Sequence, residues 1–424
     1  MNDSTTEQIF DAVTEARDGE SDLPQKAQNA EPGSFLRHAL SLGASKIADG
    51  LIDPKLVLSW LLTHLGAGTF WAGLLVPVRE AGALLPQLFI TPFISRATIR
   101  KWFWAGGAFV QGLSAAGIAL AALTLEGGIA GAVIVALLAV LALARSVCSA
   151  SYKDILGKTV DKTRRGTATG FASSAAAVGV IGFALLLMTG LGNRYVIVEA
   201  AILLAAGLWV LAAVVFSTLK EVPSEDTKDT GGLAPFSLLR EHPQLTRFIV
   251  TRALLVGTAL APPYLVMLQP DGAFAALGAL VLASAIASLL SSYVWGRLSD
   301  RSSRRVLQLS GLAGGVVLAA LVMTHWLGFS DVPGVIPVML FGLMTAYHGV
   351  RQGRSTHLVD MAGPDERASF TALSNTIVGL VLMGAGAGFA GLAALSVPLV
   401  LGLFAAMCFG AAAMATGLDD VQND

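Results

Sequence analysis

The chain has 424 residues, of which 54% are hydrophobic and 13% are charged, and its formal net charge is −1. Soluble proteins carry about 25% charged residues, so this composition excludes an ordinary soluble domain. The near-zero net charge provides no general basic surface for nucleic acid. Both cysteines, Cys148 and Cys408, lie in apolar segments, and we therefore expect buried free thiols rather than a disulfide framework.

The first 36 residues are polar and acidic, with eight carboxylates and only two basic side chains. A secretory signal peptide needs a basic start and an apolar centre, and a transit peptide avoids acids. This segment has neither pattern. The sequence predicts a disordered acidic cytoplasmic tail over residues 1–36.

Twelve apolar runs follow, each long enough to cross a bilayer as a helix of about 20 residues. The first six cover approximately residues 39–65, 67–95, 102–125, 128–151, 167–190 and 195–219. The second six cover approximately residues 246–268, 272–296, 306–327, 333–357, 369–391 and 393–416. The one sizeable polar segment between the two sets, 220–245, predicts a cytoplasmic linker. We therefore predict an all-α membrane protein with twelve transmembrane helices in two six-helix halves, 37–219 and 246–416, and a short cytoplasmic tail at 417–424.

Basic residues are concentrated in alternate connections between these runs. These connections contain Arg96, Arg100, Lys101, Lys153, Lys158, Lys162, Arg164, Arg165, Arg297, Arg301, Arg304, Arg305 and Arg367, whereas the intervening ones contain only Arg194. Connections rich in lysine and arginine remain on the cytoplasmic side. The asymmetry predicts a multi-pass protein of the bacterial inner (cytoplasmic) membrane with both termini in the cytoplasm.

Two sequence elements carry a family resemblance. The segment that begins Arg165-Gly166-Thr167 before the fifth run is echoed 202 residues later by Arg367-Ala368-Ser369 before the eleventh. Gly296-Arg297-Leu298-Ser299-Asp300-Arg301, followed by Arg304 and Arg305, is similar to the cytoplasmic turn of the major facilitator superfamily. The corresponding turn between the second and third runs, residues 92–101, keeps the basic charge but lacks the glycine and the aspartate. The fifth run also lacks the Gly-Pro element of drug/proton antiporters, and we assign no subfamily.

The resemblance implies a secondary transporter that works by alternating access, without a cofactor. It implies a small-molecule solute, a coupling ion (a proton), the lipid bilayer and a monomeric state. It also implies that the turn latches the cytoplasmic side through the gate residues Gly296, Asp300, Arg301, Arg304 and Arg305.

Ionisable residues fall inside the first two runs. At 100° per residue, Lys46, Asp49 and Asp53 share one helix face and Lys55 points the opposite way, while Asp53-Pro54 predicts a kink. A central charge costs about 2.5–3.5 kcal/mol on insertion scales, so these groups must pair or face water.

Two interpretations of these charges are open. One is a structural ion pair; the other makes the acids a proton or cation coupling element. The coupling candidates are Asp49, Asp53 and Glu80, and their charge partners are Lys46, Arg79 and Arg145. Arg145 either snorkels to the surface or pairs with Asp49 or Asp53.

The tenth run carries Tyr347, Arg351 and Arg354 on one face, without an acid nearby. Guanidinium groups bind carboxylate or phosphate in a bidentate manner, and this pattern predicts an anionic or zwitterionic solute. Arg354 is alternatively part of the cytoplasmic charge, and His348 is either a proton carrier or a satisfied histidine of the bundle. The substrate-binding candidates are Arg252, Tyr347, His348, Arg351, Arg354 and Asn375.

Motifs of other functional classes are not found in the sequence. It has no phosphate loop, no metal-ligand spacing and no nucleophile elbow, so we expect neither an enzyme nor a metal site. Two alternatives to solute uptake stay open. One is an exporter of amphipathic or metal-chelating compounds, and the other is a non-transporting membrane assembly factor with the same fold.

Overall fold

Among the described residues, twelve long helices, α1–α12, form the fold, and three of them are divided into two segments. The computed structural model describes residues 23–190, 192–223, 236–268, 270–330, 332–363 and 366–422, together with positions 7, 8, 10 and 14. In the N-terminal half the helices are α1a (Glu31–Leu51) and α1b (Val57–His64), α2a (Thr69–Leu84) and α2b (Gln87–Ser95), α3 (Lys101–Thr124), α4 (Gly127–Thr159), α5 (Arg165–Met188) and α6 (Arg194–Ser217). In the C-terminal half they are α7a (Pro243–Leu260) and α7b (Pro262–Leu268), α8 (Pro270–Arg301), α9 (Ser303–Trp326), α10 (Val335–Met361), α11 (Arg367–Ala393) and α12 (Val397–Ala415).

The helices confirm the predicted fold class of an all-α membrane protein with two six-helix halves. Among the described residues, ten helices are long and apolar enough to cross a membrane by length and composition. Those ten do not include α1, which is divided between Leu51 and Val57, or α10, which carries His348, Arg351 and Arg354. Both exceptions carry candidate site residues.

The two halves repeat the same helix packing. In the N-terminal half α3 packs against α4 and α6, and in the C-terminal half α9 packs against α10 and α12. Gly107 of α3 lies against Cys148 of α4, and Gly311 of α9 lies against the backbone of Cys408 in α12. Small residues allow such close approach of membrane helices. Both cysteines are free and buried, as predicted.

The ends of the helices define two faces. We call the end that carries the connections 96–100 and 160–164 the terminal face, since the N-terminal residues and the segments after α6 and α12 pack there. The opposite end, with connections 65–68 and 125–126, is the distal face. The halves touch in their distal parts, where α1b contacts α7b and α8 and Gly278 of α8 packs on Leu187 of α5. A cavity lies between them.

Order begins earlier in the chain than predicted. A short helix covers Gln25–Gln28 and α1a starts at Glu31, so the prediction of a disordered tail is wrong for this part of residues 1–36. Pro32 suits the first turn of a helix, and Glu31 is anchored by the backbone N–H of Asp161 at 2.9 Å and by Arg164 at 3.2 Å. Most of the segment before residue 23 lies outside the described residues.

The segments that follow α6 and α12 are packed against their own halves. Glu221 accepts hydrogen bonds from the backbone N–H groups of Arg100 and Lys101 at the start of α3. Gln422 accepts one from the backbone N–H of Ser303 at the start of α9, at 2.9 Å. The beginning of the predicted linker 220–245 and the predicted tail 417–424 thus occupy matching positions in the two halves. Residues 224–235 of the linker lie outside the described residues.

Candidate functional site

The break in α1 shapes the N-terminal side of the cavity. Pro54 has no N–H group to continue the helix, and the side chain of Asp53 accepts a hydrogen bond from the backbone N–H of Lys55 at 2.9 Å. The carbonyl of Asp53 accepts from Val57 and Leu58 at the start of α1b. The predicted kink is confirmed. The predicted outward direction of Lys55 is wrong, because the regular 100° rotation does not continue through the break.

Lys55 connects the two halves. Its side chain is largely buried, and its Nζ lies 3.8 Å from Glu80 Oε1 on α2a. The same ammonium group lies 3.6 Å from the centre of the Tyr347 ring on α10, which is within the range of a cation–π interaction. Lys55 is a candidate site residue that reasoning from the sequence missed, and the Asp53-Pro54 break was the signal for it.

Asp49 is held between two arginines. Arg79 Nη2 lies 2.7 Å from Asp49 Oδ1, and Arg145 Nη1 lies 2.9 Å from Asp49 Oδ2. Arg145 lies 14 residues before the end of α4, which extends to Thr159 rather than ending near 151. At 1.5 Å per residue this places Arg145 about 21 Å from the helix end. The ion pair, and not snorkelling, therefore accommodates its charge.

Lys46 lies on α1a one turn before Asp49. Its Nζ donates a hydrogen bond to Ser173 Oγ of α5 at 2.6 Å. It also lies within electrostatic range of Asp49, of Arg145 and of Arg351 in the other half. Lys46 therefore contacts α5 and makes no direct ion pair with Asp49 among the described residues.

A cavity brings one candidate of the N-terminal half, Glu80, together with four of the C-terminal half. Its lining residues are Glu80, Arg252, Leu255, Val256, Thr258, Ala259, Tyr347, Val350, Arg351, Arg354, Val378 and Leu382. Arg351 is exposed and Arg354 is half-buried. In the part of the chain that the structure describes, neither arginine makes a hydrogen bond or an ion pair. Arg351 lies ten residues before the end of α10, so its charge is well inside the helix and not at its terminus. Its guanidinium group is also accessible, and both properties suit contact with a solute.

Arg252 enters the cavity from α7a in a different setting. It is 5% exposed, and its guanidinium group donates hydrogen bonds to Ser374 Oγ and Asn375 Oδ1 of α11. These neutral acceptors orient the group without neutralising its charge. Asn375 therefore contacts the cavity through Arg252. His348 packs edge-on against Tyr347, and its Nε2 is buried with no hydrogen-bond partner among the described residues, which disagrees with the interpretation as a satisfied histidine.

The turn between α8 and α9 is arranged differently from the predicted latch. Asp300, Arg301 and Arg305 are exposed, and none of their side chains makes a hydrogen bond or ion pair among the described residues. Ser302 caps α9 by accepting a hydrogen bond from the backbone N–H of Arg305, which leaves Asp300 on the surface near Gly296. Arg304 instead pairs with Asp420 at 3.3 Å. In this conformation the turn is therefore tied to the segment after α12.

The fold and the charged cavity between two repeated halves define a membrane protein of the transporter type, and comparison with known proteins gives its family. The model of the Major Facilitator Superfamily matches residues 39–381. The chain belongs to this superfamily. No curated protein sequence matches it.

Solved structures agree in fold at low sequence identity. A crystal structure of the nucleoside transporter NupG superposes with a TM-score of 0.70 at 13% identity, covering 91% of this chain and 99% of that one. A D-xylose–proton symporter gives 0.69 at 11% identity, with 92% and 99% covered. The inward-open xylose transporter XylE from E. coli gives 0.64 at 10% identity, with 92% and 96% covered.

Proposed function

We propose that the protein is a secondary active transporter that moves a small polar, anionic or zwitterionic solute across the bacterial inner membrane, coupled to protons. In this proposal the two halves, residues 37–219 and 246–416, rock about the central cavity to give alternating access. The observation that carries the proposal is the cavity itself, which Arg351 and Arg354 line without an ion-pair partner among the described residues. When the halves close over the cavity, taking these two guanidinium groups out of water without a counter-charge would be costly, and a bound anion supplies that counter-charge.

The superposed proteins support the coupled mechanism. Their names describe a nucleoside transporter and a xylose–proton symporter, which are carriers of small polar solutes. A site for a neutral solute needs no excess of positive charge, whereas three arginines line the cavity of this chain. We therefore assign it an anionic or zwitterionic solute.

Glu80 is the best placed of the three proposed coupling carboxylates. It lies in the cavity and pairs with Lys55, which in turn contacts Tyr347 of the other half. A change in its protonation alters a contact between the two moving halves. Asp53 lies within electrostatic range of both Glu80 and Lys55, whereas Asp49 is committed to its two arginines.

Substitution of the coupling carboxylates tests the proposal. With a solute identified by its effect on the melting curve, Glu80→Gln and Asp53→Asn are expected to abolish concentrative uptake into proteoliposomes while exchange of preloaded solute continues. Exchange requires the loaded carrier to change conformation but does not require net release of a proton. Glu126→Gln, in the exposed distal connection, is the matched control. Normal concentrative uptake with an unchanged pH dependence in both variants would make the cluster structural.

We further propose that the terminal face is cytoplasmic, as the distribution of basic residues predicts. Thr98 on the terminal face and Glu126 on the distal face are both exposed. In intact cells, an impermeant thiol reagent is expected to label Glu126→Cys and not Thr98→Cys, with permeabilised cells as the labelling control. The reverse pattern would contradict the orientation.

A further inference from the structure

Three helices of the C-terminal half, α7a, α10 and α11, form one wall of the cavity. Gln244 near the start of α7a and Asp360 near the end of α10 both make hydrogen bonds to the segment after α12. Arg367 at the start of α11 donates a hydrogen bond to the carbonyl of Val359 near the end of α10. These three helix ends therefore lie together at the terminal face, and the position of a residue in its helix gives its depth in the wall.

The charged side chains of this wall lie at one level. Arg351 and Arg354 are ten and seven residues before the end of α10, and Arg252 is nine residues after the start of α7a. At a rise of 1.5 Å per residue, all three lie about 10–15 Å from their helix ends. The three guanidinium groups therefore form a positively charged layer on the terminal side of the cavity.

A second, deeper level of the same wall is apolar. Val256 and Ala259 lie one and two turns beyond Arg252 on α7a, and Val378 and Leu382 lie one turn apart on α11. These four residues are about 16–24 Å from the same helix ends, on the distal side of the charged layer. Because α7a and α11 pack against each other, we call the four side chains the apolar corner of the cavity.

The two helices of the apolar corner bring no further charge into it. No ionisable side chain follows Arg252 in α7a or Arg367 in α11. Thr258 is fully buried, and its hydroxyl donates a hydrogen bond to the carbonyl of Leu255 at 2.8 Å. The corner therefore presents mainly hydrocarbon to a solute.

The acid that lines the cavity belongs to the opposite half. Glu80 of α2a lies 3.8 Å from the ammonium group of Lys55, and Lys55 lies 3.6 Å from the centre of the Tyr347 ring on α10. The charge of Glu80 is therefore balanced by a cation of its own half, and it does not neutralise the three arginines.

We infer, building on the proposed function, that the transported solute is an amphiphilic monoanion, a carboxylate with a short aliphatic or aromatic body. The carboxylate binds the guanidinium fork of Arg351 or Arg354, and the body occupies the apolar corner. Sites for small molecules combine mainly apolar walls with a few polar groups that fix the orientation. A polyhydroxylated anion fits less well, because hydroxyl groups in the corner would lose water without gaining hydrogen-bond partners.

Matched carboxylates test the solute class. The melting curve of the purified full-length protein in detergent is measured at constant ionic strength with hexanoate and with gluconate, which are six-carbon monoanions that differ in their hydroxyl groups. Hexanoate should raise the melting temperature in a saturable manner, and gluconate should not do so at the same concentrations. Hexanamide has the same chain without the charge and controls for partition of the chain into the micelle. From propionate to hexanoate, the apparent affinity should rise about fourfold per methylene group.

Variants locate the body of the solute. Val378→Thr places a hydroxyl group in the apolar corner with little change of shape, and Ala259→Leu fills the corner. Each should weaken the affinity for hexanoate by about fivefold or more and leave that for propionate, whose chain is too short to enter the corner, unchanged. Val338→Thr introduces the same hydroxyl group at an exposed position of α10 outside the cavity and is the matched control. The melting temperature without ligand shows whether each variant folds, and Val378→Thr alone is sufficient for the test.

The outcomes separate the amphiphilic solute from the proposed function. If gluconate stabilises the protein as strongly as hexanoate and Arg351→Gln removes the effect, the amphiphilic solute is wrong and the anion transporter stands. No dependence on chain length, or an unchanged affinity for hexanoate in Val378→Thr, would also overturn binding in the apolar corner. If hexanamide stabilises the protein as strongly as hexanoate, the charge is not recognised, and the anionic solute of the proposed function fails as well.

Discussion

Gly386→Leu is expected to open the distal face of the transporter. Gly386 of α11 lies against Pro77 of α2a, and a side chain at this position would overlap the proline ring. Pro77 is buried and ring-shaped, so it cannot move aside as a flexible side chain would. Overpacking costs about 1–3 kcal/mol, which corresponds to a population shift of about 5–150-fold toward the state in which the two halves part distally.

The shift is measured with a cysteine inside the cavity. Ala259→Cys lines the cavity and is placed in a protein whose two buried cysteines have been replaced by alanine. Gly386→Leu should increase its labelling by an impermeant maleimide from the distal side. Gly384→Leu and Gly388→Leu are matched controls, since nothing lies within 4 Å of an added Cβ at either position. Equal labelling in all three variants would show that this contact does not hold the distal side closed.

Asp49→Asn is expected to cause a large loss of stability. The substitution leaves Arg79 and Arg145 facing each other without the carboxylate that contacts both. Removing one partner of a buried ion pair costs about 3–5 kcal/mol. The side chains remain partly accessible, at 16% for Arg79 and 28% for Arg145, which favours the lower end of this range. The melting temperature in detergent reports the loss.

Asp53→Asn is the comparison for this prediction. Its carboxylate accepts a hydrogen bond from the backbone N–H of Lys55, and an asparagine can also accept that bond, so the melting temperature should fall less. Adding Arg145→Gln to Asp49→Asn should recover part of the lost stability because it removes one unpaired cation. A double variant that is no more stable than Asp49→Asn alone would contradict the ion-pair account.

The sequence was sufficient to predict the helices and their division into halves. The prediction used the low fraction of charged residues, the twelve apolar runs and the 202-residue echo between Arg165 and Arg367. All three are read from local sequence. The bilayer sets the length and the apolar composition of such helices. The grouping of charged residues near Asp49 and Arg351 followed from helical periodicity, and the structure brings Glu80, Tyr347, Arg351 and Arg354 into one cavity.

Interactions between distant helices could not be predicted in the same way. Lys55 was assigned to the wrong side because periodicity assumes an unbroken helix, while Asp53 and Pro54 end α1a. Arg145 was placed too near the surface because the last residues of α4 are polar, so the apolar run ends before the helix does. The contact between Arg304 and Asp420 joins segments more than 100 residues apart, and no local pattern indicates such a pairing.

The accessibility of the Ala259→Cys reporter from each side of the membrane tests alternating access most directly, and it needs no knowledge of the solute. The impermeant maleimide is applied to right-side-out and to inverted vesicles that contain the protein with its glycine contacts intact. An alternating-access transporter exposes the cavity to both sides in turn, so labelling should occur in both preparations, and more slowly from the distal side. Labelling from one side only, even in the Gly386→Leu variant, would contradict transport by this mechanism and favour a non-transporting membrane protein with the same fold.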